Sequence, residues 1–246
     1  MEQVVHDEYR RHGAVHWWIE GRRRIFTHLL DRLVPLPKSA RILDVGPGSG
    51  VNLPVLAPRG ATTVVDVDLG SLRACREAGA ANVVVADAAN VPVRDGTFDL
   101  VCALDVIEHL DDDGAALRAF RRVTKHGGRL LVSVPALRIL WGRQDVLSGH
   151  RRRYRRAELR TRIVDAGFTI ERLSYFNTLL FPPILAVRLA LRPFLRRAAK
   201  RSDLDVPAFG LNGALTRIFA AERHLLARHD LPFGVSLVCV ARAGGG

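Results

Sequence analysis

Four short stretches carry residue types and spacings that suit ligand chemistry. Arg41–Gly50 reads RILDVGPGSG, an apolar run that enters a bend with Gly46, Pro47, Gly48 and Gly50. Glycines there let the backbone approach a ligand closely, and a helix starting just beyond offers free N–H groups to a carboxylate or phosphate. The spacing is GxGxG, because Val51 stands where the dinucleotide fingerprint places its third glycine. Asp66, in TTVVDVD, stands 20 residues after Gly46, where an acidic side chain can accept from both hydroxyls of a ribose. Asp87, in VVVADA, can accept from an exocyclic amine while the N–H of Ala88 meets a ring nitrogen. The fourth stretch, DVIEHL, brings Asp105, Glu108 and His109 to the end of an apolar run. Histidine is the side chain best matched to proton transfer near neutral pH, which makes His109 the first candidate base and His150, in SGHRRRY, the second.

These groups need elements to hold them. Apolar, β-rich runs alternate with helical patterns from about residue 40 to 175. The expected strands are Arg41–Val45, Ala61–Val67, Asn82–Ala86, Phe98–Leu104, Gly128–Val134, Phe168–Tyr175 and Val235–Ala241. Several are continuously apolar, as strands covered on both faces require. Helices are expected over Leu69–Ala78, Asp112–Thr124 and Arg155–Ala166, with Gly127-Gly128 and Gly167 as stops. The pattern predicts an α/β fold: a doubly wound, Rossmann-like, seven-stranded and mostly parallel sheet. The four acidic and glycine features then fall at C-terminal strand ends, where open α/β sheets bind ligands.

Two parts depart from the alternation. Residues 1–38 hold an expected helix from about Ala14 to Leu33, carrying Trp17, Trp18 and Arg22-Arg23-Arg24 and ending before Pro35 and Pro37. Residues 177–232 separate the last two strands by more than a normal connection, with Pro182, Pro183 and Pro193 expected to break them into short helices. The expected organisation is a cap helix (1–38), a core (39–176), a helical insertion before the last strand (177–232), and the last strand with its tail (233–246).

The chain has 246 residues, 48% hydrophobic and 25% charged, a globular composition rather than a disordered one. Cys75, Cys102 and Cys239 are far apart and form no CxxC pair, which argues against a disulfide framework or a zinc–thiolate site. No run of 18 uncharged apolar residues suggests a spanning helix, and MEQVVHDEYRRHG has no apolar core of signal-peptide length. A reducing, cytoplasmic location is expected. The net charge of +12 is local: residues 138–201 hold 16 basic and 4 acidic side chains. Such a patch points to an anionic partner: a phosphate group, an acidic lipid surface or nucleic acid.

The motifs DVGPGSG, VVDVD, ADAANVPVRDGTFDLV and DVIEHL, over about residues 40–136, resemble the class I S-adenosylmethionine-dependent methyltransferases, and in particular their widespread small-molecule (type 11-like) group. The resemblance implies S-adenosylmethionine as cofactor and S-adenosylhomocysteine as product. It implies that Asp44 and the Gly46–Gly50 loop hold the methionine end, Asp66 with its neighbour Val67 the ribose, and Asp87 and Ala88 the adenine. The backbone around Leu104 would lie near the sulfonium. The remainder resembles a bacterial subgroup with an HxW helix and, after the fifth strand, an LWG…GHRRRY segment, here Leu140–Tyr154.

Methyl transfer from a sulfonium needs alignment and water exclusion more than an elaborate triad. A hydroxyl acceptor also needs a base, worth roughly 10²–10⁴-fold. The expected reaction is therefore O-methylation of a small or lipid-linked, amphipathic or acidic metabolite. Trp17, Trp18, Asp145, Arg153 and Tyr154 are candidate acceptor contacts. DVIEH also resembles a magnesium-binding segment of plant small-RNA 2′-O-methyltransferases and of ubiquinone-biosynthesis O-methyltransferases. The matching residues are Asp105, Glu108 and His109, with His150 as a distant ligand. The shorter Asp105 and the preference of magnesium for oxygen weigh against it, and no metal is expected. Two alternatives stand beside this reading: an RNA 2′-O-methyltransferase, which lacks a recognisable RNA-binding motif, and a sensor that binds the nucleotide without turnover. In the insertion, Ile184, Val187, Leu191 and Leu195 share one side of a helical wheel, beside a stripe of Arg188, Arg192 and Arg196. That suits a lid over the site or contact with the anionic inner face of a membrane.

Overall fold

The structure, a computed structural model, describes residues 15–191 and 210–244. Seven strands form one sheet: β1 Arg41–Val45, β2 Ala61–Asp66, β3 Asn82–Val85, β4 Phe98–Leu104, β5 Thr124–Pro135, β6 Phe168–Phe176 and β7 Ser236–Ala243. Their order is β3-β2-β1-β4-β5-β7-β6. Neighbours pair in parallel from β3 through β5, and β7 runs antiparallel between β5 and β6. Six strands thus point the same way, and their C-terminal ends share one edge.

The helices are α1 Trp17–Leu33, α2 Leu53–Leu56, α3 Leu69–Glu77, α4 Asp113–Val123, α5 Arg143–Leu147, α6 Arg156–Asp165, α7 Phe181–Leu191, α8 Leu211–Ala221 and α9 Arg223–Leu226. Successive strand residues feed opposite layers of the core. Val101 and Ala103 of β4 pack with Leu117, Phe120, Leu159 and Ile163 of α4 and α6. Leu100, Cys102 and Leu104 pack with Ile25, Phe26, Leu29 and Leu30 of α1 and Phe219 of α8. This two-sided burial is why the strands read as unbroken apolar runs. All three cysteines are buried and unpaired.

Two expectations about punctuation are corrected. Gly127-Gly128 does not stop α4, which ends at Val123, where the Thr124 hydroxyl donates to the Phe120 carbonyl at 2.6 Å. The glycines lie inside β5, in a bulge between the pairs Phe98–Thr124 and Leu100–Arg129. A Cβ on Gly128 would sit 2.9 Å from the Thr124 methyl and 3.1 Å from the Asp99 carbonyl. Pro182 and Pro183 do not break a helix either. They occupy the first turn of α7, where a missing N–H costs nothing. Pro193, Leu195, Arg192 and Arg196 lie outside the described residues.

The region between β6 and β7 is tied into the fold. α8 lies along α1, so closely that a Cβ on Gly21 would meet the Phe219 ring at 2.5 Å. Glu222, fully buried between α8 and α9, accepts from the Leu179 N–H at 2.6 Å and so anchors the chain leaving β6. Among the described residues, no helix is long and apolar enough to cross a membrane.

Candidate active site

The glycine bend follows β1 directly. The Gly46 N–H donates to the Val65 carbonyl at 2.8 Å, which seats the bend between β1 and β2. Gly46, Gly48 and Gly50 all adopt positive φ, at 60°, 55° and 77°, a region open to glycine at little cost. A Cβ on Gly46 would press on Val106 at 2.8 Å, whereas one on Gly48 would meet nothing within 4 Å. Gly48 therefore borders open space. Beneath the bend Asp44 is fully buried, and neither carboxylate oxygen has a hydrogen-bond partner among the described residues. Burial pushes its pKa up to about 7; the Arg22 guanidinium opposes this and Asp66 reinforces it. An unsatisfied carboxylate beneath an open glycine bend is a seat for a cation. It fits the ammonium of a methionine moiety, with the bend free to approach the rest of that group.

Asp66 and Asp87 follow along the same edge. Asp66 ends β2, and its Oδ1 accepts from the Asp68 N–H at 3.0 Å. Asp87 lies two residues past β3, and its Oδ1 accepts from the Ala89 N–H at 2.7 Å. The Ala86 N–H donates to the Asp66 carbonyl at 3.1 Å, which keeps the two tips side by side. Val67 is exposed, Ala88 half-buried, and Leu104 closes β4 nearly buried. The structure thus brings Asp44, the bend, Asp66, Val67, Asp87, Ala88 and Leu104 to one edge of the sheet, as the motif spacing predicts.

Beyond β4 the same edge becomes a buried charge network. Asp105 takes a positive φ of 59°, a strained conformation of the kind that gathers at functional sites. Its carboxylate pairs with Arg22 of α1 and accepts from the Ser133 hydroxyl at 3.1 Å. Arg22 packs its guanidinium over Trp18 and Phe26, at 6.0 and 5.6 Å from the ring centres. Its neighbour Arg23 donates to the Val51 carbonyl at 2.6 Å. α1 therefore ties the glycine bend to the end of β4. Trp17 and Trp18 are spent in packing: Trp18 stacks on Phe219 at 5.1 Å, and Trp17 meets Phe219 edge-on at 5.9 Å.

Glu108, His109 and His150 converge; their ligand atoms all lie within 4.8 Å of one another. Asp105 does not join them, because Arg22 and Ser133 hold it. Glu108 is fully buried without a side-chain hydrogen bond among the described residues, and burial pushes it up to about 8. Its Oε1 faces His150 Nε2 at 3.9 Å. The His109 ring stands edge-on to His150 at 4.8 Å, and burial with the neighbouring imidazole lowers it to about 4. His109 is thus held as a neutral ring near physiological pH.

Asp145 decides which nitrogen of His150 is available. Burial works to raise its pKa, but hydrogen bonds from His150, Arg153 and the Gly142 N–H, with the Arg153 charge, outweigh that and hold it near 2. Those contacts measure 2.9, 2.7 and 2.8 Å. An ionised carboxylate only accepts, so His150 Nδ1 carries the hydrogen and Nε2 keeps its lone pair toward Glu108. Asp145, Arg153 and Tyr154, the expected acceptor contacts, are all engaged with partners inside the fold. Asp145 is fully buried, Arg153 pairs with it, and the Tyr154 hydroxyl donates to Asp113 at 2.6 Å. They position the His150 segment. The sequence marks Arg22 only within the run Arg22-Arg23-Arg24 and does not single out Asp113 or Glu222; the partner that engages each becomes visible only in the fold.

This sheet order, with its antiparallel seventh strand and glycine bend after β1, defines the class I S-adenosylmethionine-dependent methyltransferase fold. The chain belongs to the methyltransferase-domain family, whose pattern it matches over residues 18–173. It is 36% identical over 114 residues to a demethylmenaquinone methyltransferase of Corynebacterium urealyticum, covering 46% of this chain and 49% of that one. A namesake from Mycolicibacterium vanbaalenii is 35% identical over 116 residues, covering 46% and 49%. The chain thus spans about half the length of the curated relatives it matches. Among solved structures, the Haloferax volcanii complex of a methyltransferase with its activator Trm112 superposes with a TM-score of 0.63 at 18% identity, covering 98% of each chain. A geranyl diphosphate methyltransferase complexed with S-adenosylmethionine gives 0.59 at 15%, covering 91% and 85%. The cyclase SpnF gives 0.59 at 23%, covering 91% and 81%. These likenesses establish the fold.

Proposed function

We propose that this protein transfers a methyl group from S-adenosylmethionine to a hydroxyl oxygen of a small or lipid-linked acceptor, with His150 as the base. When bound, the cofactor supplies an electrophilic methyl group and a neutral thioether leaving group. Asp44 and the Gly46–Gly50 bend hold its methionine end, Asp66 with Val67 its ribose, and Asp87 with Ala88 its adenine. Leu104 lies toward the reacting centre. His150 Nε2 accepts the acceptor's hydroxyl proton. Asp145 keeps the imidazole in the competent tautomer and stabilises the imidazolium that forms. Glu108, neutral near pH 7, adds no competing negative charge beside that proton.

The observation that carries this reading is the Asp145–His150 pair at 2.9 Å, which leaves Nε2 as the available nitrogen, 3.9 Å from Glu108. A buried, oriented base suits a weakly acidic hydroxyl and has no task in a nucleotide sensor. The test uses methyl-labelled S-adenosylmethionine with fractionated cell extract, and calorimetry with S-adenosylmethionine, NAD and ATP. Selective binding of S-adenosylmethionine with label entering an acid-stable ether or ester supports the proposal. Binding without label in any fraction would leave the sensor.

One observation favours a second use of the same residues. Three donors within 4.8 Å can hold a divalent cation, and two imidazoles with one carboxylate suit zinc-like ions better than magnesium. Activity that survives EDTA supports the proton relay. Activity lost to EDTA and restored by a metal assigns the ion.

A further inference from the structure

The motif GHRRRY contributes more arginines than the His150 network uses. Between α5 and α6 lies a cavity of about 1020 Å³ whose lining includes Arg138, Arg151, Arg152, Arg153, Arg155 and Arg162. Four of these are balanced inside the fold: Arg151 pairs with Asp111, Arg152 and Arg162 with Asp113, and Arg153 with Asp145. The guanidinium groups of Arg138 and Arg155 have no ion-pair partner among the described residues, although Glu158, whose carboxylate accepts from the Arg155 N–H at 2.8 Å, and Asp165 also line the cavity. The backbone holds them together. Ala136 and Tyr154 form a parallel bridge, and the Leu137 N–H donates to the Tyr154 carbonyl at 3.0 Å. Leu137 itself takes a positive φ of 58°, a costly conformation for a branched residue, maintained at the turn that delivers Arg138. Trp141 supplies an aromatic wall to the same cavity.

Arg151, which follows His150 in the chain, belongs to the cavity wall and is tied to the loop after β4. The Arg151 N–H donates to the Glu108 carbonyl at 2.9 Å, and its Nε donates to the His109 carbonyl at 2.8 Å. The segment from His150 to Arg155 therefore presents the imidazole at one end and the arginine groove at the other. Guanidinium groups without an ion-pair partner can bind phosphate oxygens through two parallel, charge-assisted hydrogen bonds.

We propose that this groove binds a phosphate group of the methyl acceptor, with Arg138 and Arg155 as its unneutralised cations, so that the acceptor is a phosphate ester. The proposal rests on the O-methyltransferase reading for the identity of its ligand, but the groove is testable without turnover. Inorganic pyrophosphate is titrated into the full chain by calorimetry, S-adenosylmethionine is titrated in parallel, and the variant R138Q/R155Q is measured beside the natural protein. The expected result is saturable pyrophosphate binding that the double variant weakens by about tenfold or more, through the loss of charged hydrogen bonds, with S-adenosylmethionine affinity unchanged. Vesicles containing phosphatidic acid, compared with phosphatidylcholine, identify the source. If pyrophosphate binding is too weak to see but the vesicles bind and the variant does not, the phosphate is membrane-borne and the proposal stands. It is overturned if neither phosphate probe binds, or if the variant binds as well as the natural protein. A single-stranded RNA that binds with a steep salt dependence and is not displaced by pyrophosphate also overturns it, in favour of a nucleic-acid surface. A His150→Gln variant separates the two readings: it should lose methyl transfer and keep pyrophosphate binding.

Discussion

The two halves of the strand edge hold their charges differently. On the β1–β3 side, Asp66 and Asp87 are oriented by amides two residues further along the chain, at 3.0 and 2.7 Å. They stay half-buried or exposed, and the glycine bend beside them borders open space. On the β4–β6 side, Asp105 meets an arginine 83 residues away and Asp113 a tyrosine 41 residues away. Glu108, Asp113 and Asp145 there are buried. The first half is a local, repeated device for a ligand that enters from solvent. The second is a prearranged low-dielectric network, where an oriented charge interacts strongly. The comparison predicts that damage to the first half shows as lost affinity and damage to the second as lost turnover or lost stability.

The largest expected effect is on turnover. Asp145→Asn keeps the shape but removes the carboxylate that selects the His150 tautomer, so the methyl-transfer rate should fall by roughly 10²–10⁴-fold. S-adenosylmethionine affinity should stay within about twofold. Equal loss of both would erase the division between the halves. Asp66→Ala should do the opposite, weakening S-adenosylmethionine binding by about 10–100-fold in calorimetry through the loss of charged hydrogen bonds.

Asp113→Asn probes stability in the second half alone. It leaves Arg152 and Arg162 without a counter-charge and should cost about 1–3 kcal/mol. For a chain this long that is a fall of several degrees in melting temperature, at about 2–4 °C per kcal/mol. S-adenosylmethionine affinity should be unaltered.

The smallest effect is a pH dependence in the first half. Asp44 has a folded value near 7, above the ordinary carboxylate value of about 4 expected for the unfolded chain. A raised acid favours the fold while protonated, so its contribution is present below pH 4 and is lost as pH rises through 7. A cationic ligand needs the ionised form. S-adenosylmethionine affinity should therefore fall by about tenfold from pH 8 to pH 6, and its stabilisation of the protein against heat should be greater at pH 8. An affinity flat across that range would place the ammonium elsewhere.

Legibility in the sequence follows the same division. Strand positions, the parallel order and the glycine–Asp66–Asp87 series come from short-range information: apolar periodicity, and ligand groups set at strand ends. Errors arose where a local signal had two uses. Gly127-Gly128 reads as a helix stop and is a strand bulge, because close approach to Asp99 and a helix end both require glycine. Pro182 and Pro183 read as breakers and begin a helix, because the first turn tolerates proline. The Trp17-Trp18 pair stays half-buried, and its packing partner Phe219 is brought to it only by the return of α8.

The amino-acid order by itself determined the sheet, its cofactor edge and the family, because those depend on residues a few positions apart. Only the tertiary structure decided that burial depresses the basicity of His109, that Asp105 leaves the metal-like cluster for Arg22, and that Arg138 and Arg155 line one cavity. Each of those outcomes depends on burial and on partners tens of residues away, and the desolvation that sets a histidine's basicity exists only once the chain has closed around it.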